Sequence, residues 1–268
     1  MSNGYAIAVT SGKGGVGKSN LSVNLALALQ RQGKKVALFD ADLSLANAHI
    51  LMGITPDKTI VDLLDNKGEI EDICMDGPLG VKLISGGSGL NATMNLSADS
   101  RKTIITKFRT FSSQIDYLVV DTAAGIDDNV ADFVYACNRV LVMVVGEPSA
   151  FIDAYATIKV LSQNDRIRHF DIVINRARNE KHGQDVFNRF KTIVDRFLTT
   201  HLYHVATIPE DNHFHIGAGK CQPILLSAPS SKGAKAIEAL AANITGSNAS
   251  PLNEGDASFF PRHQDFKA

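Results

Sequence analysis

The chain has 268 residues, enough to bury the core of one α/β domain, and its 27 Lys and Arg nearly balance 28 Asp and Glu. That balance gives no global signature of a nucleic-acid binder, although a local basic patch is compatible with it. Cys74, Cys137 and Cys221 lie far apart with no C-x-x-C pair, which argues against a zinc ribbon or disulfide scaffold and fits a reducing cytosol. No basic segment followed by an apolar stretch opens the chain, and no run approaches the roughly 20 apolar residues of a membrane span. The expectation is a soluble, cytoplasmic protein.

The first apolar run, Tyr5 to Val9, predicts a buried strand, and Asn20 to Gln32 predicts a helix in which Leu21, Leu25 and Leu29 repeat at helical spacing. Between them Gly12 to Ser19 satisfies G-x-x-x-x-G-K-[ST], the phosphate-loop pattern, in its proper strand–loop–helix context. Val36 to Phe39 reads as a second strand with Asp40-Ala41-Asp42 at its C-terminal end. Thr59 to Asp76 suggests one or two short helices, Val81 to Ser85 a strand, and Gly86-Gly87-Ser88-Gly89 a flexible loop. Ser97 is expected to cap a helix reaching about Ser113. Ile115 to Asp121 is a strand ending in a carboxylate, followed by the small-residue loop Thr122-Ala123-Ala124-Gly125. Then come a helix over Asp127 to Cys137, the most apolar strand at Arg139 to Val145, a helix over Ala150 to Gln163 and a strand at Phe170 to Asn175. A charged helix is predicted from about Gln184 to His201, a last strand at Tyr203 to Ile208, and a closing helix at Ser230 to Thr245.

Strands alternating with helices predict an α/β fold: a mostly parallel sheet with helices on both faces, spanning residues 1–245 as one P-loop domain. Residues 246–268, rich in Ser, Asn, Gly and Pro, read as a disordered or conditionally ordered tail.

The glycines at 12, 14, 15 and 17 let backbone N–H groups turn inward around a polyphosphate, and the helix start adds a favourable dipole. Lys18 is then expected to meet the β- and γ-phosphates and Ser19 to bind Mg²⁺ directly. A nucleotide with Mg²⁺ is the expected ligand pair. Asp40, Asp42 and Asp121 arrive at sheet C-terminal edges, where ligand loops gather. Asp121 suits the carboxylate near Mg²⁺, through a bound water, and Asp42 suits the group that orients the attacking water; Asp40 and Asp42 are further metal-side candidates.

A second lysine, Lys13, stands five residues before Lys18. The run Lys13-Gly14-Gly15-Val16-Gly17-Lys18-Ser19 resembles the deviant Walker A loop of the MinD/ParA class of ATPases. Asp40 to Asn47 looks like the switch I of that class and Asp121 to Gly125 like its switch II. Glu147-Pro148-Ser149 with Asp153-Ala154-Tyr155-Ala156 is similar to the segment beside its dimer interface. Val173-Ile174-Asn175-Arg176 resembles the strand whose Asn meets adenine, and Ile208-Pro209-Glu210-Asp211 the loop around adenine and ribose. The resemblance implies an Mg-dependent ATP hydrolase that forms a homodimer with ATP, with Lys13 reaching the partner's phosphates like an arginine finger. It implies catalytic roles for Lys13, Lys18 and Asp42, and nucleotide contacts from Gly12, Lys13, Gly14, Gly15, Val16, Gly17, Lys18, Ser19, Asn20, Glu147, Asn175, Arg176, Pro209, Glu210 and Asp211.

Within the class, Gly125 to Val130, Asp153 to Ala156 and Ala41 to Asn47 most resemble the FlhG/FleN (YlxH) branch, which controls flagellar number and placement, with MinD next. Protein partners in the flagellar assembly machinery are the corresponding expectation; MinD-like septum positioning and ParA-like partitioning of DNA or cargo are the alternatives. FlhG proteins usually carry an N-terminal Asp-Gln-Ala-x-x-Leu-Arg motif that stimulates the GTPase FlhF, and this sequence begins almost at its first strand. Members of both branches also commonly end in an amphipathic membrane helix, so the resemblance implies a place on the inner face of the cell membrane or at the cell pole. Here the tail offers Phe259, Phe260 and Phe266, with Pro261 between them and only Arg262 and Lys267 as fixed cations. Eight Arg and Lys lie within residues 165–196, but Asp171, Glu180, Asp185 and Asp195 are interspersed, which favours a solvated face over DNA binding. An iron–sulfur carrier of the Mrp type would need a C-x-x-C pair, which the sequence lacks.

Overall fold

Each apolar run read as a strand forms one, and an additional short strand lies at one edge. The computed structural model describes residues 5–43, 46–66, 68–87, 96–163, 166–246, 249–250, 252–253 and 258–260. Its strands are β1 (Tyr5–Thr10), β2 (Val36–Ala41), β3 (Met75–Asp76), β4 (Lys82–Ser85), β5 (Tyr117–Thr122), β6 (Arg139–Val145), β7 (His169–Ala177) and β8 (His201–Pro209). They form one sheet in the order β3-β4-β2-β5-β1-β6-β7-β8, parallel throughout except for the β3–β4 pair. The helices are α1 (Lys18–Arg31), α2 (Ala48–Met52), α3 (Ile60–Asn66), α4 (Ile70–Ile73), α5 (Ala98–Phe111), α6 (Asp128–Tyr135), α7 (Pro148–Leu161), α8 (Glu180–Asp195), α9 (His213–Gly219), α10 (Ile224–Ser227) and α11 (Lys232–Thr245).

The central strands are buried at nearly every position because both faces of the sheet are covered. Side chains alternate between the two cores: along β1, Ala6 and Ala8 join the core beneath α5, α6 and α8, whereas Ile7 and Val9 join the core beneath α1 and α11. With the sheet's interior apolar, the chemistry-bearing residues collect beyond the strand ends.

Several boundaries differ from the sequence reading for local reasons. Helix α1 starts at Lys18 rather than Asn20, because Gly17 at φ 103° is its N-cap and the two phosphate-loop residues form its first turn. Helix α8 starts at Glu180, four residues before Gln184. Asn179 caps it by accepting the His182 N–H (2.9 Å), and Gly183 lies inside it where a Cβ would come 2.2 Å from Thr207 Oγ1. Gly183 is therefore a packing residue rather than a breaker. Ser97 caps α5 as expected, accepting the Ser100 N–H. Helices α9 and α10 were not anticipated. Ser88 and Gly89 of the expected flexible loop, Ser44 and Leu45 of the switch-like run, and Pro261, Arg262, Phe266 and Lys267 lie outside the described residues.

The described part of the tail packs against the rest of the chain. Arg139 and Asp171, both buried, form an ion pair at 2.7 Å, and Ser250 hydrogen-bonds to both. Asn253 Oδ1 accepts the N–H groups of Arg168 (3.1 Å) and His169 (3.0 Å), while its amide donates to the His169 carbonyl at 2.8 Å. The Phe259 N–H donates to the Ala136 carbonyl (3.0 Å), and its fully buried ring packs 5.2 Å from Phe108 and 6.3 Å from Phe133. Phe260 is buried as well. Two of the three phenylalanines considered for membrane contact are thus core residues, and no helix among the described residues is long and apolar enough to cross a membrane. Phe259→Ala is expected to destabilise the protein by about 3–5 kcal/mol, the cost of emptying an aromatic core site. Urea unfolding of the variant measures this; an unchanged midpoint would show that the tail is not part of the core.

Candidate functional site

The loop after β1 is built from residues that only a few side chains could replace. Gly12 passes so close to α7 that a Cβ there would lie 2.2 Å from the Asp153 carbonyl carbon and oxygen and 2.7 Å from the Ala154 nitrogen. Gly15 (φ 74°) and Gly17 (φ 103°) adopt left-handed backbone that glycine tolerates best. Lys18 is buried at the helix start, and its Nζ donates to Ser11 Oγ at 3.0 Å; that hydroxyl in turn donates to the Lys13 carbonyl at 2.8 Å. Burial pushes the Lys18 ammonium below its ordinary range, opposed by the carboxylates of Asp121 and Asp42.

Asp40 and Asp121 face each other in register on β2 and β5. Asp121 is fully buried; one oxygen accepts from Ser22 Oγ at 2.9 Å, while Oδ2 is without a hydrogen-bond partner among the described residues. Burial raises its pKa to about 6 against the opposing pull of Ser19, Ser22 and Lys18. Asp40 rises to about 8, through burial first and the neighbouring Asp121 charge second. Its two oxygens accept the N–H groups of Ala48 (2.9 Å) and Asp42 (3.3 Å), so it also holds the chain between β2 and α2. Asp42 stands just beyond β2, partly exposed. The Thr10 hydroxyl, at the end of β1, is a further buried polar atom with no partner among the described residues.

Lys13 lies at the rim, its Nζ 3.3 Å from Glu147 Oε2, with the two side chains 43% and 57% exposed. An ion pair this open contributes little to stability. On the other side of the loop, Asn175 Nδ2 donates to the Val16 carbonyl and Arg176 Nη2 to the Gly15 carbonyl, both at 2.7 Å. Asn175 Oδ1 accepts the Arg176 N–H (2.9 Å), which leaves one amide hydrogen for a ligand.

Beside the loop opens a cavity of about 210 Å³ lined by Gly17, Asn20, Asn175, Arg176, Pro209, Glu210 and Asp211, all expected nucleotide contacts. Met143, Phe214, His215 and Ala218 are among its other lining residues and were missed. Their signal was weak: Phe214 and Ala218 share a face of α9 at i, i+4, but Gly217 and Gly219 mask the helix. His215 is part of the wall of this cavity. Asp211 lines it too, yet its carboxylate is already engaged. Burial would raise its pKa, but donors from Gly233 N–H, His213 N–H and the His213 ring outweigh that and hold it at about 2.

The basic stretch at 165–196 is largely committed to its own neighbours. Arg166 lies over the Tyr135 ring, Arg196 over Phe197, and Lys191 pairs with Asp195 at 2.5 Å.

The paired carboxyls give nucleotide-free protein a distinct pH dependence. Each binds its proton more tightly folded than unfolded, so its contribution to stability is complete below the ordinary carboxylate pKa. That contribution is lost as pH rises through about 6 for Asp121 and about 8 for Asp40. Urea unfolding between pH 5 and 8.5 is expected to show wild type losing stability relative to Asp40→Asn as pH rises; a pH-independent difference between the two would contradict the pairing.

The ParA family model, described as an NUBPL iron-transfer P-loop NTPase, matches residues 3–245. The antiactivator FleN of Pseudomonas aeruginosa is 41% identical over 89% of this chain and 85% of its own length. The flagellum site-determining protein YlxH of Helicobacter pylori is 36% identical over 75% of this chain and 68% of its own. The MinD cell division protein of Aquifex aeolicus superposes with a TM-score of 0.76 at 25% identity, over 93% of this chain and all of that one. The chain belongs to the ParA/MinD family of P-loop NTPases, and it is a regulatory ATPase that hydrolyses ATP.

Proposed function

We propose that ATP closes two copies of this chain face to face, that hydrolysis releases them, and that the closed pair engages a protein partner in the control of flagellar number or placement. The observation that carries the reading is Lys13. It is a cation on the loop itself, held at the open rim by one weak, exposed contact to Glu147 rather than turned into the site. A second copy docked over the rim competes with that contact at small cost. The flagellar role draws on the likeness to YlxH and FleN.

In this reading the purine occupies the cavity between α9 and the ends of β7 and β8, near the free amide hydrogen of Asn175, with Arg176, Pro209 and Glu210 around it. The loop N–H groups from Gly12 to Ser19, with Asn20 beside them, cradle the phosphates, and Lys18 exchanges Ser11 for a phosphate oxygen. The partnerless Asp121 Oδ2, its elevated pKa and the Ser19 hydroxyl at the helix start suit a hard divalent cation. Ser19 would hold Mg²⁺ directly, with Asp121, Asp40 and Asp42 reaching it through water. The ion supplies neutralisation of the β- and γ-phosphate charge. Asp42, at the edge of β2, orients the attacking water, and Lys13 from the partner stabilises charge on the transferring phosphoryl group. Cations delivered in trans are worth about 10³–10⁵ in rate in related systems, so turnover is conditional on association.

Lys18→Ala is expected to lose tight ATP binding. Asp42→Ala is expected to bind ATP, hydrolyse it at least about tenfold more slowly, and accumulate as a dimer on gel filtration. Normal hydrolysis by Asp42→Ala would remove that residue from the water-orienting role. Affinity capture with ATP-locked Asp42→Ala against Lys18→Ala should retain flagellar basal-body or FlhF-like proteins in the first case only; equal capture by both would contradict a nucleotide-dependent output.

A further inference from the structure

Arg176 is one of three residues other than glycine with positive φ among those described, at 54°. It sits where the β7–β8 register slips between Ile174 and Ala177, at the strand end nearest the phosphate loop. L side chains rarely adopt this conformation, and residues held there tend to lie at functional sites. The structure shows what holds it. The Arg176 guanidinium donates to the Gly15 carbonyl and the adjacent Asn175 amide to the Val16 carbonyl, both at 2.7 Å. Two consecutive residues of β7 thus grip two consecutive carbonyls of the loop.

The consequence follows from peptide geometry. In a trans peptide the C=O of one residue and the N–H of the next point in opposite directions, and no cis peptide occurs among the described residues. Drawing the Gly15 carbonyl toward Arg176 turns the Val16 N–H away from β7. Drawing the Val16 carbonyl toward Asn175 does the same for the Gly17 N–H. Away from β7, across β6 and β1 in the sheet, lies the end of β5 with Asp121, the side toward which Lys18 is drawn. The left-handed Gly15 and Gly17 make this carbonyl-out, N–H-in alternation accessible.

We infer that Arg176, with Asn175, is a positioning residue for phosphate binding: it fixes the loop's carbonyls outward so that the Val16 and Gly17 N–H groups are aimed at the polyphosphate before it arrives. This gives both residues a task separate from contact with the base, and it makes the strain at Arg176 part of loop preorganisation. The inference rests on the phosphate-loop reading above.

The test separates phosphate from base. Inorganic tripolyphosphate and adenosine are each titrated, with Mg²⁺, against a fluorescent ATP analogue on wild type, Arg176→Gly, Arg176→Ala and Arg176→Lys. Glycine removes the guanidinium and also relieves the positive φ, so Arg176→Gly should keep at least the wild-type melting temperature while its tripolyphosphate affinity falls by about tenfold, the scale of one charged hydrogen bond. Adenosine affinity, which loses only a contact at the cavity wall, should fall by clearly less than tripolyphosphate affinity, and Arg176→Lys should recover part of the loss. Unchanged tripolyphosphate affinity in Arg176→Gly, or an equal loss for adenosine, overturns the inference and leaves Arg176 as at most a base contact. Wild type that fails to bind tripolyphosphate at all overturns the phosphate-loop reading itself, and the inference with it.

Discussion

A parallel sheet covered on both faces has only its strand ends in which to keep charge, and this constraint shapes the whole molecule. Asp40 and Asp121 stop in register at the ends of β2 and β5. Lys18 enters from the first turn of α1, and the apolar bodies of the same strands form two cores. Burying two carboxyls side by side is unfavourable unless a cation compensates them. Lys18 supplies one positive charge, itself weakened by burial. The partnerless Asp121 oxygen is where an incoming divalent cation would add the missing positive charge. A cation bound at this edge would restore stability that the paired carboxyls cost.

The phosphate loop is restrained from three directions, each by a different device. On one side α7 touches it so closely that position 12 cannot carry a side chain. On another, Asn175 and Arg176 hold its carbonyls. At the rim the Glu147 carboxylate holds Lys13, and this restraint is the weak one. A loop that is rigid where it meets phosphate and loose at its outer lysine is suited to a cation that must move between an internal partner and an external one. Glu147 leads directly into α7, so the helix that packs on Gly12 also starts from the residue that holds Lys13.

Much of this was legible because strong local patterns coincide with long-range need. The phosphate loop has a fixed spacing of residue types, and seven strands announce themselves as apolar runs closed by turns or carboxylates. Asn175, Pro209 and Glu210, expected from the sequence to meet a common ligand, line one cavity beside the loop. The rest depended on contacts with no period in the sequence. Phe259 and Phe260 are isolated apolar residues among Ser, Gly and Asp, and only the gap beneath α5 and α6 makes them core. Gly183 and Gly217 look like breakers yet are helical, because Thr207 and the Gln222 carbonyl occupy the space a Cβ would need. Asp211 looked like a ligand contact, but its oxygens are taken by the start of α11 and by His213. Arg139 in an otherwise apolar strand gave no hint of its buried partnership with Asp171 and Ser250.

The account turns on whether the ammonium of residue 13 acts in the neighbouring subunit. Mixing two hydrolysis-deficient variants asks this directly. Lys13→Ala lacks the donated cation but retains its own water-orienting carboxylate, whereas Asp42→Ala has the reverse deficiency. In a mixed dimer the Lys13→Ala protomer keeps Asp42 and receives Lys13 from its partner. Steady-state ATP turnover of the mixture should therefore exceed the sum of the separate variants and rise with protein concentration. A mixture no more active than that sum would place Lys13 in its own subunit's site, or outside the chemistry altogether.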